Sequence, residues 1–177
     1  LFNWATNGKS NIFKKIITDR LVFNKIKNKV GGNIRFFVSG GSALSSQIAK
    51  FFHSIGLPII KGYGMTEASP VICLDKISDM KFDCVGRPIP GVKIKLASDG
   101  EIIVSGDNVM SGYWNNQIET DKCLINGWLH TGDIGAIKDG QLDVIDRKKD
   151  LFKTSYGKYV APQPIENMLK LRPAIQN

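Results

Sequence analysis

Three short segments carry the residues best suited to chemistry, and each is built around glycine. In Ser39-Gly40-Gly41-Ser42 the missing Cβ atoms let a ligand approach the backbone, and the helical stretch that follows opens with unpaired N–H groups. Strand-to-helix turns also use glycine for steric reasons alone, so this turn decides nothing by itself. In Gly62-Tyr63-Gly64-Met65-Thr66-Glu67, bare residues flank Tyr63 and leave its ring face open to a stacked purine. Thr66 and Glu67 add a hydroxyl and a carboxylate, hard oxygen ligands of the kind that suit Mg²⁺ carrying nucleotide phosphates. A tight turn with a packed tyrosine and an exposed glutamate has the same spacing, and both readings stand. Trp128-Leu129-His130-Thr131-Gly132-Asp133 places a carboxylate after a glycine at the edge of a β-rich run. Such a carboxylate accepts both hydroxyls of a ribose in dinucleotide folds, but taken alone the segment reads as an ordinary turn.

The elements that must position these segments fall into three regions. Residues 11–29 have apolar side chains mostly three or four apart with lysines between them, an amphipathic helix ended by Gly31-Gly32. Residues 34–38 predict a short strand, 45–54 a helix and 58–61 a second strand, together a βαβ portion of a parallel sheet. From residue 85 to 146 helical periodicity is lost, and the β-rich runs 92–96, 101–104 and 142–145 predict a small β subdomain. The charged cluster 146–150 opens a third region that closes with a helix over 162–171, where Ile165, Met168 and Leu169 share a face without a visible partner. The expected fold is α/β, with residues 1–84 and 85–146 forming the α/β and β parts of one large domain. Residues 147–177 would form a hinge and the incomplete start of an α+β C-terminal domain.

The chain has 177 residues, 42% hydrophobic and 23% charged, an ordinary globular composition with room for a sizeable core. No apolar run reaches bilayer-spanning length, and the first residues lack the pattern of a secretory signal. The first residue is not Met, which suggests a segment cut from a longer chain. Cys73, Cys84 and Cys123 are an odd number of cysteines without a close pair, fitting a reducing cytoplasm. Neither His53 nor His130 has metal-ligand spacing to another histidine or to a cysteine. The net charge of +8 draws on lysines and arginines scattered through residues 9–35 at helical spacing, which reads as a solvated helix face. No nucleic-acid partner is expected. A basic membrane- or nucleic-acid-binding piece would instead show steeply salt-dependent binding.

In order along the chain, SGGSALS, GYGMTEASP, VGRPIPGVKIK, GEIIVSGDNVMSGYW, NGWLHTGDIG and DRKKDLFKTSYGKYVAPQPIE resemble the adenylate-forming (AMP-binding) superfamily over almost the whole length. RFFVSGGSALS together with GYGMTEASPV and KTSYGKYVAPQPIE looks most like the long-chain fatty acid CoA ligases. The resemblance implies that Gly40, Gly41 and Ser42 lie against the adenine and that Tyr63 stacks on it. Gly64, Met65 and Thr66 would run between the α-phosphate and the acyl group, with Thr66 bonding phosphate and Glu67 holding Mg²⁺. Asp133 would accept the ribose hydroxyls and Arg147 would bind the ribose from the domain edge. Lys149 would be the hinge about which the small C-terminal domain turns between half-reactions. Lys153 would enter for the thioester step, and Gly157 would let the pantetheine of CoA pass.

The activity so implied joins a fatty acid to ATP, releasing pyrophosphate, and passes the acyl group from the adenylate to the thiol of CoA. The family's glycine-rich phosphate loop and its late lysine have no counterpart in these 177 residues, so the segment alone is expected to be inactive. A noncatalytic nucleotide-binding homologue, or an adenylating enzyme for another carboxylic acid, would carry the same words. Peripheral membrane contact and self-association through the C-terminal helix are left open.

Overall fold

The computed structural model describes residues 23–156 and 158–169. The chain divides into two compact units, residues 1–39 with 44–60, and residues 40–43 with 61–177.

In the first unit the described elements are α1 (Asn24–Lys29), β1 (Phe37–Ser39), α2 (Ser46–Ser54) and the first residues of β2 (Ile59–Gly64). The remainder of the helix expected over 11–29 lies outside the described residues. Gly31 and Gly32 end α1 with positive φ, and the Gly32 N–H returns to the Lys27 carbonyl at 2.8 Å. Ser45 caps α2, its hydroxyl accepting the Gln47 N–H. Phe23, Ile55 and Leu57 form the core, with Phe37, Phe51 and Phe52 packed edge to face around it. β1 is shorter and later than the run 34–38 predicts. Its first backbone bond is Phe37 N–H to the Pro58 carbonyl, and Pro58 has no N–H with which to extend the pairing upstream.

The second unit carries the rest of β2, followed by β3 (Val71–Leu74) and β4 (Arg87–Pro88), paired antiparallel in that order. A second antiparallel sheet contains β5 (Lys93–Leu96), β6 (Glu101–Ser105), β7 (Leu124–Ile125), β8 (Trp128–Lys138) and β9 (Gln141–Arg147), ordered β5-β6-β8-β7 with β9 also on β8. The two sheets share a core of Ala68, Ile72, Cys73, Ile102, Val104, Leu129 and Leu142, with Tyr63 and Met65 packed on its flank. Residues 101–104 of β6 are buried on both faces, hence the uninterrupted apolar run Ile102-Ile103-Val104. A small hairpin of β10 (Phe152–Lys153) and β11 (Tyr159–Val160) precedes α4 (Pro162–Leu169). Among the described residues no helix is long and apolar enough to cross a membrane.

Two features depart from the expected β subdomain. Helix α3 (Gln117–Cys123) forms inside it, capped by the Asn116 side chain and carrying one buried residue, Thr120, so no apolar periodicity announces it. The segment ending at Asp133 is the first half of β8, an eleven-residue strand, rather than a turn at a strand edge. Between the pairs Ile103↔His130 and Glu101↔Ile134, β6 advances two residues while β8 advances four. The extra residues bow out of the ladder at Gly132, whose φ is +73°, and the glycine that suggested a turn makes a bulge instead.

Candidate active site

Strand β2 delivers Tyr63 through a second irregularity. Gly62 faces Leu74 and Tyr63 faces Cys73, but Gly64 pairs with Val71, and the register slips between Tyr63 and Gly64. The reason is spatial: a Cβ on Gly64 would lie 1.8 Å from the Pro70 carbonyl oxygen, so the chain can close here only with glycine. Met65 then donates its N–H to the Pro70 carbonyl at 2.8 Å, and Thr66–Ala68 form one 3₁₀ turn that ends at Ser69 in the left-handed region. The Asn108 side-chain amide donates to the Ala68 and Val71 carbonyls at 3.0 and 2.9 Å, holding the turn shut. Thr66 is exposed and Glu67 half-buried.

The bulge in β8 turns Asp133 toward Tyr63, whose phenol donates to Asp133 Oδ2 at 2.7 Å. Burial, and then the neighbouring Asp133 charge, push the Tyr63 phenol up, so it serves as a neutral donor. Arg147 is the register partner of Asp133 on β9, with its Nε 4.0 Å from Asp133 Oδ1. An ionised carboxylate offers about four lone-pair sites, so Asp133 retains capacity for two further hydroxyl donors.

The loop around Asp133 is fixed from behind by Glu101, a residue the motifs did not single out. One of its oxygens accepts the Gly132 N–H at 2.9 Å, and the other faces His130 Nδ1 at 3.1 Å and Lys148 Nζ at 3.0 Å. Burial alone would raise the Glu101 carboxyl, but these donors outweigh it and hold it below the ordinary glutamate range. Thr131 completes the support, donating to the Ile102 carbonyl at 2.8 Å and accepting the Asp133 N–H at 3.1 Å. A carboxylate buried at the head of an apolar strand must have partners, and that was the available signal.

The other expected site residues distribute as follows. Gly40 and Gly41 belong to the same compact unit as Tyr63; an added Cβ on Gly40 would touch the Gly62 carbonyl at 3.5 Å, and Gly41 has a φ of +82°. Ser42 is exposed. Lys149 sits exposed in a 3₁₀ turn directly after β9. Lys153 lies on β10 with its ammonium 5.8 Å from the Tyr159 ring centre. Gly157 lies outside the described residues. The structure thus brings together Tyr63, Asp133 and Arg147, with Gly64, Met65, Thr66 and Glu67 continuing from the same strand.

A family profile described as AMP-binding enzyme matches residues 5–114. The chain belongs to that family. It is 41% identical over 163 residues to the long-chain-fatty-acid–CoA ligase FadD15 of Mycobacterium bovis, a match covering 92% of this chain and 27% of the relative. Among solved structures it is similar to o-succinylbenzoate CoA synthetase from Bacillus subtilis in complex with the acyl-adenylate intermediate, with a TM-score of 0.79 and 29% identity. That match covers 88% of this chain and 35% of the other. The same enzyme in complex with ATP and magnesium ion matches at a TM-score of 0.74 and 32% identity, over 81% of this chain and 32% of that one. The chain therefore spans about a quarter of the length of its FadD15 relative, 27%.

Proposed function

We propose that these residues form the adenosine- and metal-facing part of the active site of an ATP-dependent long-chain fatty acid CoA ligase. The observation that carries the reading is the convergence of Tyr63, Asp133 and Arg147: an aromatic ring and a carboxylate joined by a 2.7 Å bond, with a guanidinium across the strand pair. On this reading the Tyr63 ring takes the adenine face, with the Gly40-Gly41-Ser42 turn on its other side. Asp133 accepts the two ribose hydroxyls, and Arg147 neutralises the carboxylate's surroundings and reaches the ribose.

The turn after β2 carries the oxygen ligands, Thr66 exposed and Glu67 half-buried. Thr66 donates to phosphate, Met65 and Gly64 line the path between phosphate and acyl group, and Glu67 offers a single carboxylate. Among the described residues no group of three or more histidine, cysteine or acidic side chains could hold a metal by itself. One carboxylate with phosphate oxygens and water suits Mg²⁺, which retains much of its hydration shell, so Glu67 fits this role. Bound there, Mg²⁺ would supply charge neutralisation for the phosphates. The chain's own contribution is orientation: the fatty acid carboxylate is held in line with the α-phosphorus, an oxygen–phosphorus bond forms, and pyrophosphate leaves.

The same reading makes Lys149 the pivot of a small C-terminal domain, Lys153 a group that enters for thioester formation, and Gly157 the passage for the pantetheine of CoA. It divides the chain into residues 1–84, 85–146 and 147–177, and sets it in the cytoplasm. The test uses the full-length protein that carries this segment, ATP, CoA and a panel of fatty acids. Fatty-acid-dependent ATP–pyrophosphate exchange is expected, and Asp133→Ala should weaken ATP binding. No exchange with any acid of the panel would overturn the reading.

A further inference from the structure

Tyr113 lies far from Glu67 in sequence, and the two side chains meet: its phenol donates to Glu67 Oε1 at 2.7 Å. A bond between two partly exposed groups is ordinarily weak, because both partners are free to turn to water. Here both ends are held by backbone. The Met110 N–H donates to the Glu67 carbonyl at 2.8 Å, fixing the turn that bears the carboxylate. The Tyr113 N–H donates to Thr120 Oγ1 at 2.9 Å, and Thr120 in turn donates to the Asn116 carbonyl, fixing the loop that bears the phenol. A Cβ on Gly112 would lie 2.9 Å from the Thr120 side chain, so the loop closes on Thr120 without slack. Asn108, from the same loop, clasps the carbonyls of Ala68, the last residue of the turn, and Val71, the first of β3.

We infer that Tyr113 is a positioning residue for the carboxylate of Glu67, occupying Oε1 and orienting Oε2 toward a divalent cation carried by nucleotide phosphates. This deepens the proposed function and rests on its assignment of Glu67. A tyrosine phenol, with an ordinary pKa of about 10, is a neutral O–H donor across the working range of an enzyme. A neutral donor leaves the carboxylate charge intact, whereas a lysine in its place would cancel that charge and compete with the metal. Outer-shell hydrogen bonds to metal-ligating groups govern metal affinity strongly, and their loss costs about 10–100-fold.

The test compares wild type, Tyr113→Phe and Glu67→Gln in the full-length protein. Mn²⁺ binding in the presence of ATP is followed by electron paramagnetic resonance, alongside the Mg²⁺ dependence of ATP–pyrophosphate exchange and thermal unfolding without metal. Tyr113→Phe should weaken Mn²⁺ binding and raise the Mg²⁺ requirement by about tenfold, with the fatty acid KM and the unfolding temperature near wild type. Unchanged Mn²⁺ affinity in Tyr113→Phe, with Glu67→Gln impaired, overturns this inference alone. A lowered unfolding temperature with unchanged metal dependence also overturns it, by assigning Tyr113 to folding. Unchanged metal binding in Glu67→Gln overturns both the inference and the assignment of Glu67 on which it rests.

Discussion

Replacing Glu101 with alanine strips the acceptor from three donors at once: the Gly132 N–H, His130 Nδ1 and Lys148 Nζ. The Gly132 amide is partly withdrawn from water and loses about 1–2 kcal/mol with its partner. Lys148 keeps Asp99 at 2.6 Å and has a side chain 48% exposed, so it rehydrates and adds only about 0.5 kcal/mol. His130 adds a similar amount, and the lost packing of the buried side chain about 1 kcal/mol more. The total, about 3–4 kcal/mol, corresponds to a fall of roughly 1.5–2 M in the urea midpoint at a slope of about 2 kcal/mol/M. Tryptophan fluorescence during urea unfolding at neutral pH reads it. Glu101→Gln keeps an oxygen for Gly132 but no charge, and should lose about half as much.

The pH dependence supplies the sharper check. Because the folded Glu101 carboxyl lies below its unfolded value of about 4.3, its contribution is fully present above that value and is lost as pH falls through the folded one. The gap between wild type and Glu101→Gln should therefore hold constant from neutral pH down to about pH 5 and narrow below about pH 4. A midpoint shift in the alanine variant under about 0.3 M, or a gap that widens on acidification, would refute the view that Asp133 is held from behind by a buried carboxylate.

Gly64→Ala forces a methyl group against the Pro70 carbonyl and should destabilise by about 3 kcal/mol in the same urea assay, since the atoms it meets in Pro70 and Val71 are backbone. Asp133→Asn in the full-length protein should weaken ATP binding about tenfold by calorimetry, with a smaller loss for 2′-deoxy-ATP, which presents one hydroxyl fewer. Asp146→Ala removes the acceptor of the Gln163 N–H at 3.0 Å in the first turn of α4; about 1 kcal/mol of capping is lost, and amide exchange across that turn should quicken about fivefold.

Local patterns announced the pieces of this site, and only topology assembled it. The glycine turn before it made α2 legible, and the apolar residues leading into Gly62 made β2 legible, although the strand runs on to Gly64. β8 was hidden because Gly132, Asp133 and Gly135 interrupt its alternation with residues that usually mark turns. Helix α3 was hidden because a side-chain cap, a Gln117–Asp121 hydrogen bond and a Lys122–Glu119 ion pair hold it rather than an apolar face. The bond between Tyr63 and Asp133 joins residues 70 positions apart across two sheets, and no spacing rule reaches that far. Resemblance alone pointed to Asp133 as a ribose-binding carboxylate. Glu101 came only from the coordinates, although its place at the head of a doubly buried strand demanded partners.

Glu101 also bears on where motion can begin. Through Lys148, it and Asp99 tie the first residue after β9 to the start of β6, while Arg147 is still paired in register with Asp133. Lys149 is the next residue, exposed in its turn, so a swivel placed there under the proposed function would leave the nucleotide-facing residues undisturbed up to Lys148. A contact that crosses such a pivot is the Asp146 carboxylate, whose Oδ1 accepts the Arg147 N–H and whose Oδ2 accepts the Gln163 N–H of α4. A rotation about Lys149 must part Asp146 from Gln163 while sparing Asp146 from Arg147. Under the proposed function the arrangement seen here would be one of the states that the hinge connects, with the Asp146–Gln163 bond a contact that distinguishes them.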